Sequence, residues 1–209
     1  QSPQINIYNQ DCLPALKQMQ ENSFDLCVTD PPYGVDFAYN SYKDSNEAWH
    51  ELMDQWIPEI KRVAKMVVFP SAQIKKLKYF YENHTPDWLI AWYKGSPGHA
   101  AFIGFNDWEP LIVYGKTHSR LYMHDFITNR PEKPNAIHPC PKPVSWFKKI
   151  MSKALPNGGK VIDPFLGSGT SMVAAWDLNL DLEGFEIDPK YYEGARKRLK
   201  QHQRQLQLF

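Results

Sequence analysis

A segment toward the C-terminal end of the sequence, residues 160–187, constrains the fold of this chain more than any other. It predicts an apolar strand, a turn that contains Gly167 and Gly169, a helix, and a second strand that carries Glu186 near its end. Strand, glycine-bearing turn, helix, strand and acidic residue in this order are typical of one half of a doubly wound nucleotide-binding sheet. We therefore predict an α/β fold in which a mainly parallel sheet has helices on both faces.

The other helices and strands predicted from hydrophobic periodicity alternate in a similar way. Helices are predicted at residues 13–19, 47–63, 72–82, 143–155, 170–178 and 189–203, and strands at 5–8, 24–29, 66–69, 88–93, 111–114, 160–162 and 182–187. A chain of 209 residues is long enough for one sizeable core and short for two. We predict a single domain over residues 1–209.

Composition and charge exclude several classes of protein. Apolar residues make up 43% of the chain, charged residues 22%, and the formal net charge is only +1. These values are typical of a globular protein in which any nucleic-acid contact comes from local clusters of cations. The cysteines Cys12, Cys27 and Cys140 form no CxxC, so we predict neither a disulfide nor a metal site. No run approaches about 18 apolar residues, so we predict no membrane span and a cytoplasmic location.

The glycine-bearing turn is a candidate ligand site. Gly167 and Gly169 would let the chain turn sharply and bring backbone N–H groups close to a ligand, with Ser168 and Thr170 available as helix caps. By itself the turn is weak evidence, because many strand-to-helix turns contain such glycines for geometric reasons. The residue after Thr170 is not the lysine of a phosphate-binding P-loop, which argues against an NTPase.

The acidic residue at the end of the next strand strengthens this site. A carboxylate at the position of Glu186 can accept hydrogen bonds from both hydroxyl groups of a ribose. The alternative is a solvated carboxylate that caps the last helix. Asp188, just ahead of Pro189, is the better candidate for that cap.

The string Asp30-Pro31-Pro32-Tyr33 follows the predicted strand at 24–29 and is far more specific. Proline has a fixed φ and no N–H, so the carbonyl group of Pro31 has a rigid orientation and stays available as an acceptor beside Asp30. Two acceptors on an exocyclic amino group of a base would bring the nitrogen lone pair out of conjugation and make it nucleophilic toward a methyl group. Tyr33 offers an aromatic face for stacking. The alternative is a proline-stabilised surface turn.

Taken together, the motifs resemble those of the exocyclic-amino DNA methyltransferases of the permuted beta group. In that family a DPPY motif precedes the recognition segment, and an FxGxG cofactor motif lies near the C-terminus. The resemblance covers nearly the whole chain and rests on residues 9–13 (NQDCL), 23–34 (SFDLCVTDPPYG), 108–114 (WEPLIVY), 138–143 (HPCPKP), 163–170 (DPFLGSGT) and 184–188 (GFEID). It implies a Rossmann-like sheet with the DPPY motif and the glycine loop side by side at its carboxyl edge.

The resemblance also implies S-adenosylmethionine as the methyl donor. It assigns Glu186 to the ribose of the cofactor and Asp11, with Cys12 beside it, to the adenine. Lys142 would lie near the methionine carboxylate, and a surface lysine ahead of a helix is the competing interpretation. The other implied cofactor residues belong to the glycine loop, namely Asp163, which would orient the methionine amino group, Phe165, Gly167, Gly169 and Thr170.

The implied reaction is direct methyl transfer to the amino group of a base flipped out of double-stranded DNA, with Asp30, Pro31, Pro32 and Tyr33 as the catalytic motif. Because the motif begins with Asp rather than Ser, the family pattern favours N6 of adenine over N4 of cytosine. RNA, a protein amide nitrogen, or a catalytically silent DNA-bound accessory protein are the remaining alternatives. The family further implies DNA methylation in restriction-modification, in a bacterium or a phage.

Target recognition would fall to loops within about residues 34–137, which leave little room for a separate recognition domain. Cations in these loops are candidate contacts to DNA phosphates or base edges. They are Lys94, Lys116, Arg120, Arg130 and Lys133. For any one of them, solvated loop charge is an equally good interpretation.

The tail at residues 204–209 contains a second candidate interaction site. Its residues Gln205, Leu206, Leu208 and Phe209 resemble the short QLxLF peptide with which bacterial replication and repair proteins dock on the sliding clamp. The alternative is a tail that folds back and buries its apolar side chains on its own domain.

Overall fold

A computed structural model describes residues 2–35, 44–71, 73–95, 100–101, 104–116, 124–129 and 142–206. Within these ranges the helices are α1 (Cys12–Gln18), α2 (Asn46–Val63), α3 (Leu77–Asn83), α4 (Val144–Ala154), α5 (Thr170–Asp177) and α6 (Pro189–Leu206). The strands are β1 (Ile5–Tyr8), β2 (Leu26–Val28), β3 (Met66–Pro70), β4 (Trp88–Tyr93), β5 (Ala100–Ala101), β6 (Gly104–Phe105), β7 (Trp108–Gly115), β8 (Phe126–Thr128), β9 (Lys160–Asp163) and β10 (Asp181–Phe185).

One sheet organises the described residues. Its strand order is β1-β10-β9-β2-β3-β7-β4-β8, and β5 pairs only with β6 in a separate hairpin. β7 is antiparallel to both of its neighbours, and the other pairs in the large sheet are parallel. The prediction of a mainly parallel α/β sheet is confirmed.

The central strands are covered on both faces, which explains their composition. β2 and β3 are buried along their whole length, as expected for parallel strands between two helical layers. The helices α4 and α5 pack on one face, and α1, α2 and α3 pack on the other. In α2 the buried side chains Trp49, Met53, Trp56 and Ile60 recur every three or four residues, so that they form one apolar stripe against the sheet.

The structure differs from the sequence prediction mainly at the far end of the sheet. β7 begins at Trp108 rather than at residue 111, because the carbonyl group of Pro110 accepts a hydrogen bond from the Ser71 N–H and the ladder continues through the proline. β8 was not predicted: only Ile127 of its three residues is buried, and one apolar side chain gives no alternating pattern. The helix predicted at 72–82 starts as a 3-10 turn at Ile74–Lys76 before α3.

The ends of the parallel strands define the carboxyl edge of the sheet. Asp30 follows β2, the glycine loop follows β9, and Glu186 follows β10 directly. Because β7 runs the other way, its first residue Trp108 lies at this edge and its last residue, Gly115, lies at the opposite one. The DPPY motif and the glycine loop are neighbours, since β2 pairs with β9. Among the described residues, no helix combines the length and the apolar character that a membrane span needs.

Candidate active site

Asp163 joins the two strand ends at the centre of the carboxyl edge. Its Oδ1 accepts hydrogen bonds from Thr29 Oγ1 at 2.5 Å and from the Phe165 N–H at 3.1 Å, and its Oδ2 accepts one from Ser171 Oγ. The side chain is buried, and burial raises its pKa to about 6, with a further contribution from the charge of Asp30. Asp163 therefore ties the glycine loop to β2 and α5, while its role toward a methionine amino group stays a prediction.

The glycines of the loop are required by its geometry. Gly167 and Gly169 have φ angles of 51° and 73°, in the left-handed region that favours glycine. A Cβ atom on Gly169 would lie 2.4 Å from Met172 Cε and 2.9 Å from Ala195 Cβ. The loop therefore lies directly against α6, with the N-terminus of α5 at the carboxyl edge.

The prediction that Ser168 or Thr170 caps α5 is wrong. The N-cap is Gly169, and no side chain makes the capping hydrogen bond. Instead, Arg198 on α6 donates to Thr170 Oγ1 at 2.8 Å and to Ser168 Oγ at 3.2 Å. The guanidinium group reaches both hydroxyl groups because α6 packs on the glycine loop. This packing joins distant parts of the chain, so local sequence patterns do not predict it.

Glu186 closes the glycine loop from the next strand. Its Oε2 accepts a hydrogen bond from the Gly167 N–H at 2.7 Å, and its Oε1 accepts one from the Asp188 N–H at 2.8 Å. Burial raises the pKa of this carboxyl group above its usual range. Each oxygen keeps a further lone pair, as the predicted ribose contact requires. Asp188 caps α6, as predicted, by accepting from the N–H groups of Lys190 and Tyr191.

The start of α1 lies beside this loop. Asn9 Nδ2 donates to the backbone carbonyls of Glu186 at 2.8 Å and Ile187 at 3.2 Å, which brings the two segments together. Asp11 caps α1 by accepting from the N–H of the second helical residue at 2.9 Å, and Cys12 is buried. Ile187, which sequence reasoning missed, is 49% exposed directly after Glu186. The available signal was an apolar residue directly after Glu186, just beyond the end of β10.

This end of the site fits a nucleoside group. It combines a buried carboxylate suited to paired hydroxyls, glycines that leave the backbone accessible, and the exposed apolar side chain of Ile187. The ring of Phe165 packs edge-on against Trp56 at 5.3 Å between centroids. Among the described residues, no group of three or more His, Cys, Asp or Glu side chains could hold a metal ion.

The DPPY loop presents a linked group of polar side chains. Tyr33 donates its hydroxyl hydrogen to Asp30 Oδ1. Lys142 donates to Tyr33 Oη at 2.5 Å, and its Nζ lies 3.2 Å from Asp30 Oδ1. Both contacts to the carboxylate use Oδ1, and among the described residues no hydrogen bond or ion pair uses Oδ2. The family resemblance assigns Lys142 to the methionine carboxylate of the cofactor, and in the structure its ammonium group contacts the DPPY loop.

The residues just after the motif hold this loop in place. Gly34 has a φ of 61°, and a Cβ there would lie 2.6 Å from Trp49 Cβ. Asp44 accepts hydrogen bonds from the N–H groups of Gly34 at 2.6 Å and Val35 at 3.1 Å. Lys76 Nζ lies 3.6 Å from the centre of the Trp49 ring. Of these contacts, only the glycine left a signal in the sequence.

Trp92 at the end of β4 forms another wall of the carboxyl edge. The ammonium groups of Lys142 and Lys94 each lie 5.5 Å from the centre of its ring. Lys94 also forms an ion pair with Glu109 on β7 at 3.0 Å, and the other oxygen of that buried carboxylate has no hydrogen-bond partner within the described part of the chain. A buried acidic residue inside an apolar strand was the signal for Glu109.

The structure separates the predicted DNA contacts. Lys94 lies at the carboxyl edge, whereas Lys116 follows the end of β7 at the opposite edge. Arg120, Arg130 and Lys133 lie outside the described residues, as do Leu208 and Phe209 of the tail. Gln205 and Leu206 form the last two residues of α6.

Comparisons with known proteins show similarity to DNA methylases. A family model described as DNA methylase matches residues 108–197. The type II methyltransferase M.HpaI of Haemophilus parainfluenzae is 26% identical to this chain over 230 residues, covering 90% of this chain and 72% of M.HpaI.

Solved structures share the fold. The M1.HpyAVI–SAM complex has a TM-score of 0.65 at 23% identity and covers 93% of this chain and 98% of its own. The PvuII DNA methyltransferase, described as cytosine-N4-specific, has a TM-score of 0.66 at 16% identity and covers 95% of this chain and 89% of its own.

Independent features of the chain agree with these similarities. The DPPY loop and the glycine loop follow adjacent parallel strands, and the carboxylate that follows β10 closes the glycine loop. The relatives align along nearly all of the chain, so that both loops fall within the matched region. The chain is therefore similar to the DNA methylases over residues 108–197 and to type II methyltransferases over nearly all of its length.

Proposed function

We propose that this protein transfers a methyl group from S-adenosylmethionine to the N6 amino group of adenine in double-stranded DNA. The observation that carries the proposal is the state of Asp30 in the DPPY loop. One carboxylate oxygen is held by Tyr33 and Lys142, and the other has no partner among the described residues. An anchored carboxylate with an available oxygen is suited to accept a hydrogen bond from an amino group.

The cofactor would bind at the glycine loop. Glu186 accepts hydrogen bonds from the ribose hydroxyls, and Asp11 accepts one from the adenine amino group. Ile187 and Phe165 supply apolar contacts to the cofactor. When bound, S-adenosylmethionine supplies an electrophilic methyl group on its sulfonium. The proposal is supported by M1.HpyAVI, a structural relative described as a complex with SAM.

The chain's own groups prepare the target nitrogen. Asp30 Oδ2 and the Pro31 carbonyl each accept one amino hydrogen, which reduces conjugation of the nitrogen lone pair with the ring and directs it toward the methyl group. A bond would form between nitrogen and the methyl carbon as the carbon–sulfur bond breaks, with the electron pair of that bond left on the sulfur of the departing neutral thioether. The proton that the nitrogen then loses would pass to water. Catalysis here is mostly alignment and exclusion of water.

A paired adenine cannot reach this site within the duplex. We propose that the base flips out of the helix, at a cost of about a few kcal/mol, and stacks on Tyr33. Adenine is preferred because Asp rather than Ser begins the motif, as the family pattern indicates. N4 of cytosine is the alternative, and it is supported by the fold shared with the cytosine-N4-specific PvuII enzyme.

Partners and context follow from the same proposal. Lys94 at the carboxyl edge is the candidate DNA contact nearest the DPPY motif. The bacterial relatives support a role in restriction-modification in the bacterial cytoplasm. The tail string at 205–209 supports a second partner, the bacterial sliding clamp, on sequence alone. Binding of the purified protein to a clamp, lost in a Leu208→Ala, Phe209→Ala variant, would establish that partner.

One experiment tests the activity and the base together. The protein is incubated with methyl-labelled S-adenosylmethionine and mixed-sequence duplex DNA, and the DNA is then digested to nucleosides. Label in N6-methyladenine supports the proposal, and label in N4-methylcytosine replaces adenine with cytosine as the target. Absence of label in DNA, with label in RNA or in protein, overturns the DNA substrate.

A further inference from the structure

Lys142 occupies a nearly enclosed position between the DPPY loop and α4. Its side chain is only 10% exposed. The next residue, Pro143, is the N-cap of α4 with φ −63°, and Trp146 in the first turn packs against Trp92 at 5.8 Å between ring centres. These contacts fix the backbone from which the Lys142 side chain extends.

The ammonium group of Lys142 has well-defined neighbours. It donates to Tyr33 Oη at 2.5 Å and lies 3.2 Å from Asp30 Oδ1. It also lies 4.9 Å from the centre of the Tyr33 ring and 5.5 Å from the centre of the Trp92 ring. Lysine, tyrosine and aspartate thus form a closed triangle of polar contacts, with two aromatic rings around it.

This triangle is largely shielded from solvent. Little water reaches the ammonium group at this exposure, and among the described residues Asp30, Tyr33 and the aromatic faces of Tyr33 and Trp92 stabilise its charge. An ion pair of this kind is weak evidence for overall stability, but its geometry is specific. Since Lys142 and Tyr33 are 109 positions apart in the chain, the contact also connects α4 to the DPPY loop.

We propose that Lys142 is a positioning residue of the target-base site. Together with Tyr33 it holds Asp30 Oδ1, so that the carboxylate cannot rotate and Oδ2 stays directed at the amino group that is methylated. This inference rests on the proposed function, and it places the ammonium group on the methyl-acceptor side. A contact between Lys142 and the methionine carboxylate, which the sequence motifs imply, is the competing role.

The two roles predict different losses in a Lys142→Met variant, which keeps the length of the side chain without its charge. If Lys142 positions Asp30, the single-turnover rate of methyl transfer at saturating cofactor falls about tenfold to a hundredfold, because the acceptor is misplaced. The dissociation constant of S-adenosylmethionine, measured by calorimetry, changes by no more than about twofold. A cofactor contact would instead weaken that binding by about tenfold or more and overturn the proposal.

Further variants separate positioning from loss of structure. Lys142→Arg can still donate to both oxygens and should recover part of the rate. Lys142→Met combined with Tyr33→Phe should lose less than the product of the single losses, because both side chains hold the same oxygen. Lys148→Met is the matched control, since Lys148 lies on α4 and its ion pair is with Asp177. Its rate should equal that of the wild type.

A readout that needs no methyl transfer completes the test. Tyrosine labelled with ¹³C at Cζ gives an NMR signal that reports hydrogen bonding at the hydroxyl group, and Tyr33→Phe identifies the Tyr33 signal. Lys142→Met should shift that signal, and Lys148→Met should leave it in place. An unmoved Tyr33 signal in Lys142→Met overturns the positioning role whether or not the wild type methylates DNA. Absence of methyl transfer by the wild type, with the signal shifted, counts against the proposed function alone.

Discussion

Two loops at the carboxyl edge begin with the same dipeptide, Asp-Pro, but their aspartates differ in burial and in hydrogen bonding. Asp30-Pro31 follows β2, and Asp163-Pro164 follows the neighbouring strand β9. Asp163 is 1% exposed, and both of its oxygens accept hydrogen bonds within the protein. The side chain of Asp30 is 21% exposed, and the described residues contact only its Oδ1. A saturated carboxylate holds a fold together, whereas a partly satisfied one can take a ligand.

The second difference concerns how each loop is anchored. Asp163 acts from within its own loop, because it accepts the Phe165 N–H and joins the loop to β2 and α5. The Asp30 loop has one internal contact, from Tyr33 to Asp30 Oδ1, and is otherwise anchored from outside, by Lys142 from the segment ahead of α4 and by Asp44 ahead of α2. An acceptor that must meet a substrate cannot use all of its own hydrogen-bonding capacity for structure. Much of its support therefore comes from other elements, here Lys142 and Asp44.

The largest effect should come from removing the acceptor itself. Asp30→Ala should lower the rate of methyl transfer by at least about a thousandfold, because the interaction with the amino group acts mainly in the transition state. Cofactor affinity, measured by calorimetry, should stay within about threefold of the wild type. A rate within about tenfold of the wild type would contradict the comparison of the two aspartates.

The next effect concerns the turn that closes the Asp30 loop. Gly34→Ala should lower the free energy of unfolding by about 2–4 kcal/mol, since a Cβ meets Trp49 and the left-handed φ becomes strained. Gly158→Ala is the matched control, because its φ is 90° but nothing lies within 4 Å of its Cβ position. It should lose about 1–2 kcal/mol. Urea denaturation measures the free energy of unfolding of both variants. If both lose the same free energy, the clash with Trp49 does not contribute to the destabilisation of Gly34→Ala.

A smaller effect follows from the raised pKa of Asp163. Between about pH 4 and 6 the native state keeps a proton on this carboxyl group that the unfolded chain has released. The stability of the wild type relative to Asp163→Asn should therefore fall as the pH rises through this window, by at most about 1.4 kcal/mol per pH unit, and become constant above it. Urea denaturation of both proteins between pH 4 and 8 tests this. A relative stability that rises with pH would show that the pKa is lowered instead.

The smallest effect is expected for a single DNA contact. Lys94→Gln should weaken duplex binding a few-fold, by about 1 kcal/mol, and reduce the salt dependence by about one counterion. Lys116→Gln, at the opposite edge of the sheet, should change neither quantity. Binding measured by fluorescence anisotropy at several salt concentrations distinguishes the two variants. Equal losses in both would mean that DNA is not confined to the carboxyl edge.

Much of the cofactor end could be predicted from local sequence. Gly167, Gly169 and Glu186 lie within one strand-turn-helix-strand unit, and short connections bring them together whatever the rest of the chain does. The cap at Asp188 was predictable for the same reason. Ser168 and Thr170 were not, because Arg198 reaches them from a different helix and removes them from the capping position.

Sequence alone determined where the strands end and which functional residues follow them. The alternation of apolar residues in a strand, and the backbone effects of proline and glycine, each extend over only a few positions. The α/β sheet, the DPPY loop and the resemblance to DNA methyltransferases all follow from such short-range patterns. Only the tertiary structure decided which oxygen of Asp30 is held, which edge Lys94 and Lys116 occupy, and where the Lys142 ammonium group lies. These outcomes depend on the antiparallel run of β7 and on the packing of α4 against β4, and such contacts join residues far apart in the chain.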